Sequence, residues 1–191
     1  MIYLCCAPRG AQSGTAAAHA LLKYTFHVKY SQCFPEIKRT PNGKPYFPDC
    51  PDVHFSLSHS KTHVLCALSD HMVGADIESP RDISGRVLSF YSTPEESSQF
   101  EPLDLWVLKE SYIKLFGWTL PCVRDVRFSR SGGAITSRYI GRNTPSGADG
   151  APSPVISALY HIAAPDGVIL RAALSVIGDT PPEQPEWVDI G

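Results

Sequence analysis

The chain has 191 residues, of which 43% are hydrophobic and 19% are charged, and its formal net charge is −2. This length suffices for one domain or two small ones, with an interior large enough to need no cross-links. A charge this close to zero argues against a polyanionic partner such as duplex DNA, which usually requires a basic stripe. The sequence has no apolar run of the roughly 20 residues that a membrane-spanning helix needs, and residues 1–6 lack the features of a secretory signal. We therefore expect a cytoplasmic protein that binds neither nucleic acid nor membrane.

The six cysteines predict free thiols. They stand at positions 5, 6, 33, 50, 66 and 122, without a CxxC spacing and without histidines at the intervals of a zinc site. Disulfides are rare in the cytosol, so the adjacent pair at positions 5 and 6 is not evidence of redox chemistry.

The beginning of the chain predicts a strand, a helix and a loop. Residues 1–6 are strand-like, and residues 15–24 are rich in alanine and leucine, which favours a helix. Residues 24–30 alternate only loosely between apolar and polar. Residues 40–52 are dense in proline around an Asn-Gly pair, which predicts a loop or turn.

Three apolar segments follow, at residues 53–58, 63–68 and 72–77, and turn-forming residues separate them. This pattern predicts an antiparallel meander. Side chains alternate along a strand with a period of two, so Asp76 and Glu78 share one face of the third strand. We expect that strand to carry both carboxylates to its end.

The second part of the chain begins with helical signals. Residues 83–90 favour a helix, residues 92–96 are a helix start signal with Pro94 in an early position, and a long helix is predicted over 103–117 with Gly117 as its C-cap. Strand-like pieces follow at 123–128, 135–139, 155–161 and 168–176.

These elements predict an α+β fold of two helix-and-sheet subdomains. The first subdomain spans residues 1–82 and the second spans residues 83–178. Residues 141–154 are rich in Gly, Pro, Ser and Asn and predict a mobile loop. The proline-rich tail at 179–191 is expected to be extended or disordered.

The helix predicted over 103–117 carries three charged residues near its apolar face. Glu110 and Lys114 lie one turn apart at the border between core and solvent, where the plain interpretation is a surface ion pair worth roughly 0.2–0.5 kcal/mol. Lys109 falls inside the apolar arc, where a cation has to extend to solvent or meet an anion.

The acidic residues Asp76, Glu78 and Glu110 are candidate ligands for a divalent cation. Hard ions such as Mg²⁺ favour a site of one to three carboxylates that water and substrate phosphates complete. The alternative is that Asp76 and Glu78 are only the polar end of a strand that buries the residue between them.

Two further motifs are open to more than one interpretation. Ser58, His59 and Ser60 stand together at a turn, but no GxSxG elbow surrounds either serine, which favours a capping or turn role over a nucleophilic centre. Lys44 extends from the Asn-Gly turn and is either a solvated loop charge or a contact for a phosphate.

Five sequence blocks, in this order, resemble the signature blocks of a known family. They are residues 43–45 (GKP), 55–60 (FSLSHS), 73–78 (VGADIE), 90–92 (FYS) with Glu95, and 106–114 (WVLKESYIK). The blocks resemble those of the 4'-phosphopantetheinyl transferases of the surfactin-synthetase-activating type. The resemblance extends from about residue 41 to residue 117.

The resemblance implies a Mg²⁺-dependent reaction, with Mn²⁺ as a substitute ion. In it the 4'-phosphopantetheine arm of coenzyme A is transferred to a serine of an apo acyl or peptidyl carrier protein, and adenosine 3',5'-bisphosphate is released. The family fold consists of two similar α+β halves related by a pseudo-twofold axis, so we expect a monomer that is a pseudo-dimer. Coenzyme A lies in the cleft, with the nucleotide side in the first half and the catalytic helix in the second.

The resemblance also implies roles for individual residues. Asp76, Glu78 and Glu110 would bind the metal, Glu110 would accept the proton of the carrier serine directly or through water, and Lys114 would neutralise the departing phosphate. Nucleotide and pyrophosphate contacts are implied for five residues: Lys109 at the pyrophosphate, Lys44 and Ser58 at the nucleotide, His59 at the 3'-phosphate, and Lys23 as a substitute for a basic residue of the family.

Two other functions remain open. The chain could keep the fold as a non-catalytic module that binds coenzyme A or a carrier protein, although such a module needs no base near the carrier serine. It could also be a metal-dependent phosphohydrolase that directs water at nucleotides like coenzyme A with the same three carboxylates.

Overall fold

A computed structural model describes residues 1–141 and 154–190 of the chain. The loop predicted over 141–154 lies outside the described residues except for its two ends. In chain order, the described elements are β1 (Tyr3–Pro8), α1 (Gly14–Tyr30), β2 (Lys38–Arg39), β3 (Pro45–Tyr46), β4 (His54–His59), β5 (His63–Ser69), β6 (Val73–Glu78), α2 (Gly85–Tyr91), α3 (Pro94–Ser97), α4 (Pro102–Phe116), a 3₁₀ helix (Leu120–Asp125), β7 (Val126–Ser131), β8 (Ala134–Tyr139), β9 (Val155–Ala163), β10 (Ile169–Ile177) and β11 (Glu186–Trp187). The predicted α+β class is confirmed.

The first sheet has the strand order β11-β1-β5-β4 and carries α1 on one face. Strand β5 pairs antiparallel with both β1 and β4. The helix predicted to end at residue 24 continues to Tyr30, because Thr25 and Phe26 continue its buried face beyond that residue. Part of the tail is ordered as β11, which pairs parallel with β1.

The second sheet has the strand order β6-β10-β9 and carries α4 on its outer face. Its inner face packs against the first sheet, so the protein is layered as α1, first sheet, second sheet and α4. The predicted meander is therefore wrong in its third strand, because β6 pairs with β10, where Asp76 lies opposite Ala173. Long-range pairing of this kind leaves no local signal in the sequence.

Serine side chains connect β4 to β6 in place of a backbone ladder. Ser56 Oγ accepts a hydrogen bond from the Ala75 amide at 2.9 Å, and Ser58 Oγ accepts one from the Ile77 amide at 3.3 Å. Buried amides need such partners. These bonds hold the two sheets together at the strand that carries Asp76.

The contact between α4 and β6 depends on a glycine. A Cβ atom at Gly74 would lie 2.1 Å from the carbonyl oxygen of Ser111 and 2.3 Å from the amide nitrogen of Leu115, both backbone atoms of α4. Only a residue without a side chain allows the helix to lie this close to the strand. The contact brings the face of α4 with Glu110 and Lys114 next to Asp76.

The local signals around α4 agree with the structure. The helix ends at Gly117, which has a φ of 68°, as expected of a glycine C-cap. The start signal at 92–96 forms α3, with a capping box between Thr93 and Glu96. The strand predicted from residue 123 begins only at Val126, because the preceding residues form a 3₁₀ turn.

No helix among the described residues is both long and apolar enough to cross a membrane. The cytoplasmic location, the monomeric state and the subdomain boundary at residue 82 stay predictions.

We expect Gly74→Ala to destabilise the protein by about 3 kcal/mol, because overpacking against rigid backbone costs roughly 1–3 kcal/mol or more. Urea unfolding measures the change. The matched control is Gly85→Ala at the start of α2, where a Cβ meets nothing within 4 Å. A Gly74→Ala variant as stable as the control would show that α4 and β6 can separate at no cost.

Candidate functional site

An acidic cleft opens between β4, β6 and α4. It brings together most of the residues predicted to act in the chemistry. The described lining consists of Leu57, Ser58, His59, Asp76, Ile77, Glu78, Trp106, Glu110 and Lys114. Strand β6 supplies one pair of carboxylates, and α4 supplies the third together with the lysine.

Asp76 lies at the centre of this acidic cleft and is 5% exposed. Its Oδ1 accepts hydrogen bonds from Ser58 Oγ at 2.6 Å and from Lys114 Nζ at 2.6 Å. Lys114 Nζ also donates to Ser58 Oγ at 3.0 Å. Asp76 Oδ2 is buried and has no hydrogen-bond partner among the residues that the structure describes. One carboxylate oxygen is thus neutralised, and the other is left without a donor or cation.

Glu110 is the second carboxylate of the cleft whose surroundings disfavour a negative charge. The pKa of Glu110 is raised to about 7, chiefly by burial; the negative charges of Asp76 and Glu78 contribute to the rise, and Lys114 opposes it. Glu78 lies nearer solvent and forms an ion pair with Arg81 at 2.9 Å. The acidic cleft therefore contains more negative charge than its one lysine balances.

This donor set fits a hard divalent cation. All three acids offer oxygen ligands, which Mg²⁺ prefers, and Asp76 supplies an oxygen that has no other partner. Glu78 is turned toward Arg81, and within the described chain these three acids do not form a group with ligand atoms all within 4.8 Å. To bind one ion together, the three carboxylates would have to move closer to one another.

The group that does meet this distance is Asp70, His71 and Asp179. The amino group of Met1 lies 2.7 Å from Asp70 Oδ1 and 3.2 Å from Asp179 Oδ2. A cation of the protein itself therefore already neutralises part of the negative charge of this group.

A basic cavity of about 280 Å³ adjoins the acidic cleft. None of the described residues that line it is acidic, and five are basic: His19, Arg39, Lys44, His59 and Lys114. The two spaces share Leu57, His59 and Lys114. In a chain of net charge −2, this concentration of basic side chains favours a ligand with several negative charges.

Lys44 and His59 are held in this cavity by contacts with other elements. The ammonium group of Lys44 donates to the carbonyl oxygen of Leu115, and burial lowers the pKa of Lys44 to about 8. The ring of His59 lies against Gly14, where a Cβ would come within 2.5 Å of it. Lys44, predicted at the nucleotide, and His59, predicted at the 3'-phosphate, therefore both line a cavity that α1, the β2–β3 hairpin and α4 enclose. Ser58, also predicted at the nucleotide, lines the acidic cleft instead.

Lys109 does not reach this site, and the structure contradicts its predicted pyrophosphate contact. Its side chain is 0% exposed, and its ammonium group donates to Glu96 Oε2 at 3.0 Å, to the Val126 carbonyl at 2.8 Å and to the Tyr91 carbonyl. All three donors have acceptors, so none is left for a ligand. Lys109 connects α4 to α2, α3 and β7.

Lys23 also does not line either space, and its side chain is exposed. His19 lies one helical turn earlier on the same face of α1, about 6 Å closer to the cavity along the axis, and does line it. Sequence reasoning missed His19 and Arg39. The four-residue spacing between His19 and Lys23 was the available signal for His19, but no local pattern indicated which end of α1 borders the cavity.

The α+β fold thus places an acidic cleft, whose oxygen donors suit a metal ion, beside a basic cavity that suits a phosphorylated ligand. No family model matches the chain. The chain is 38% identical over 85 residues to 4'-phosphopantetheinyl transferase Sfp of Bacillus subtilis (strain 168). The match covers 39% of this chain and 38% of that protein.

Two further relatives have the same activity in their names. The 4'-phosphopantetheinyl transferase gsp of Aneurinibacillus migulanus is 34% identical over 90 residues, or 42% of this chain and 37% of that protein. The 4'-phosphopantetheinyl transferase psf-1 of Bacillus pumilus is 31% identical over 115 residues, or 54% and 49% respectively. The resemblance inferred from the sequence blocks is confirmed. The chain spans less than half the length of each of these relatives.

We expect Lys109→Met to destabilise the protein by about 3–5 kcal/mol, because it leaves the Glu96 carboxylate buried without a cation. The double variant Glu96→Gln, Lys109→Met should recover much of that loss. Urea unfolding measures both, and Lys38→Ala, which breaks the exposed pair with Glu36, should change stability by less than about 1 kcal/mol. A Lys109→Met variant as stable as Lys38→Ala would rule out the buried pair as a structural element.

Proposed function

We propose that this chain catalyses the Mg²⁺-dependent transfer of the 4'-phosphopantetheine arm of coenzyme A to a serine of an apo acyl or peptidyl carrier protein. A bond forms between the serine oxygen and the phosphorus of the arm. The bond from that phosphorus to the bridging oxygen breaks, and this oxygen leaves with adenosine 3',5'-bisphosphate. The serine proton passes to a base.

The observation that carries the proposal is the direct junction between the acidic cleft and the basic cavity. Coenzyme A has a nucleotide with a 3'-phosphate at one end and a pyrophosphate in its middle. The basic cavity suits the nucleotide end, and the shared residues His59 and Lys114 lie where the pyrophosphate would enter the acidic cleft. The names of the relatives, each a 4'-phosphopantetheinyl transferase, support the same substrate.

The residues of the acidic cleft suit phosphoryl transfer, which mostly requires positioning and neutralisation of charge. Asp76, Glu78 and Glu110 would hold the cation, which supplies charge neutralisation on the phosphoryl oxygens when it is bound. Lys114 is anchored on Asp76 and Ser58 at the junction, so its ammonium group can neutralise the oxygen that departs with the nucleotide. Glu110 faces the same cleft and would take the serine proton, directly or through water.

The decisive assay is incubation of the protein with coenzyme A, Mg²⁺ and a set of apo carrier proteins, followed by intact-mass analysis. Addition of the arm supports the proposal. Binding of coenzyme A without transfer would indicate a binding module instead. Cleavage of coenzyme A without a carrier would indicate a phosphohydrolase.

Asp76→Asn and Glu110→Gln should each lower the transfer rate about 100-fold or more, because each removes a charge from the reacting centre without changing side-chain size. Glu110→Gln should unfold at a urea concentration no lower than the parent, since it removes a poorly solvated charge, whereas Asp76→Asn should unfold at a lower one because it breaks the ion pair with Lys114. Exposed isosteric controls are Asp52→Asn and Glu36→Gln. Transfer within severalfold of the parent in either cleft variant would contradict these roles.

Lys114→Met should chiefly lower kcat, by about 10-fold or more, because the lost cation stabilises charge that develops on the leaving oxygen. Steady-state kinetics with coenzyme A separate kcat from KM. Lys61→Met, at the exposed turn between β4 and β5, is the control. A change confined to KM would assign Lys114 to substrate binding alone.

A further inference from the structure

Arg81 contacts both carboxylate oxygens of Glu78, the residue that ends β6. Its Nη2 donates to Glu78 Oε1 at 2.9 Å, and its Nε donates to Glu78 Oε2 at 3.4 Å. A two-point contact of this kind fixes the direction of a carboxylate as well as balancing its charge. A divalent cation bound to Glu78 would use the same oxygens and would meet the positive guanidinium at close range. The two cations therefore compete for one carboxylate.

The turn after β6 brings Arg81 to this carboxylate. Ser79, the first residue of the turn, donates from its hydroxyl to Ser60 Oγ at 2.9 Å. The next residue is Pro80, whose ring fixes one of its two backbone angles. A constrained turn loses little further freedom when Arg81 folds back onto Glu78, three residues earlier in the chain.

A second arginine lies near Glu78 but is engaged elsewhere. Arg171 stands opposite Glu78 in the pairing of β10 with β6. Its Nε lies 3.0 Å from Oδ1 of Asp104, a carboxylate that is 3% exposed. Because Arg171 neutralises this buried acid, the charge of Glu78 is balanced by Arg81.

We propose that Arg81 is a positioning residue of the acidic cleft: it is the internal counter-ion of Glu78, and a divalent cation has to displace it before Glu78 becomes a ligand. This inference rests on the metal site of the proposed function. It accounts for the separation of Glu78 from Asp76 and Glu110, which do not form a close group with it within the described chain. The guanidinium also lies 5.9 Å from the ring centroid of Trp106, which lines the cleft, so it has a favourable contact near by when it leaves the carboxylate.

The first test is a titration of Arg81→Met with Mn²⁺ alone, in which electron paramagnetic resonance measures the free ion. Removal of the competing guanidinium should tighten Mn²⁺ binding roughly two- to fivefold, the range expected for release of an exposed ion pair. In a Glu78→Gln background the same substitution should have no effect, because the carboxylate for which the two cations compete is gone. Arg86→Met removes an exposed arginine of α2 and is the control for net charge; it should leave the affinity unchanged.

The second test follows the Nε–H resonance of Arg81 in the ¹⁵N-labelled parent protein, at a low temperature where exchange with water is slow. The Arg81→Met variant assigns the signal by its absence. Addition of Mg²⁺, which is diamagnetic, should move the signal to the position that it has in metal-free Glu78→Gln, where the guanidinium has lost its charged partner. The Arg86 signal should stay in place.

The outcomes separate this inference from the proposed function. If Mn²⁺ binds the parent and Arg81→Met equally, or if the gain in affinity persists in the Glu78→Gln background, the inference is wrong, and arm transfer by the parent would leave the proposed function standing. An Arg81 resonance that Mg²⁺ does not move would overturn the inference in the same way. If neither the parent nor Arg81→Met binds Mn²⁺, both the inference and the Mg²⁺ dependence of the proposed function are wrong.

Discussion

The site depends on the close approach of α4 to β6 at Gly74. Strand β6 places Asp76 and Glu78 on the face that the helix covers, and the helix carries Glu110 and Lys114. Because these residues come from two elements far apart in sequence, only the distance between helix and strand determines whether they meet. A single side chain at Gly74 would separate them. The serine side chains of β4 then attach the basic cavity to the same strand.

The buried charges of the protein are fully paired at one place and only partly paired at another. The buried pair of Lys109 and Glu96 has a partner for each ammonium hydrogen, so it can be buried at little net cost. The acidic cleft lacks this balance: Asp76 keeps a buried oxygen without a partner, and the pKa of Glu110 is raised to about 7. Buried polar groups that lack a hydrogen-bond or charge partner are expected at functional sites. The contrast is the reason to regard the cleft, and not the buried pair, as the reacting centre.

Local signals in the sequence predicted the elements of the site well. The glycine C-cap at residue 117 marks the end of α4, and the period of two along β6 predicts that Asp76 and Glu78 share a face. Such signals depend on neighbours within a few residues. The sequence blocks then indicated which of these residues to consider together.

Contacts between elements that are distant in sequence could not be predicted from such local signals. Strand β6 pairs with β10 nearly a hundred residues later, a choice that depends on the whole packed structure. Lys109 was expected at the pyrophosphate, but its position on the apolar face of a helix does not reveal its partners. Three acceptors from other elements surround its ammonium group, and only the folded structure brings them together. His19 was missed for a related reason, since it becomes a cavity residue only when α1 and α4 enclose the same space.

The proposed reaction requires one divalent cation to be bound by acids of β6 and α4 beside the pyrophosphate of a bound nucleotide. Anomalous diffraction from crystals grown with Mn²⁺ and coenzyme A tests it most directly. We expect a manganese peak bonded to oxygens of Asp76 and Glu110, with the pyrophosphate in contact and the nucleotide in the basic cavity. A peak only at Asp70 and Asp179, or a nucleotide bound away from His59 and Lys114, would contradict it.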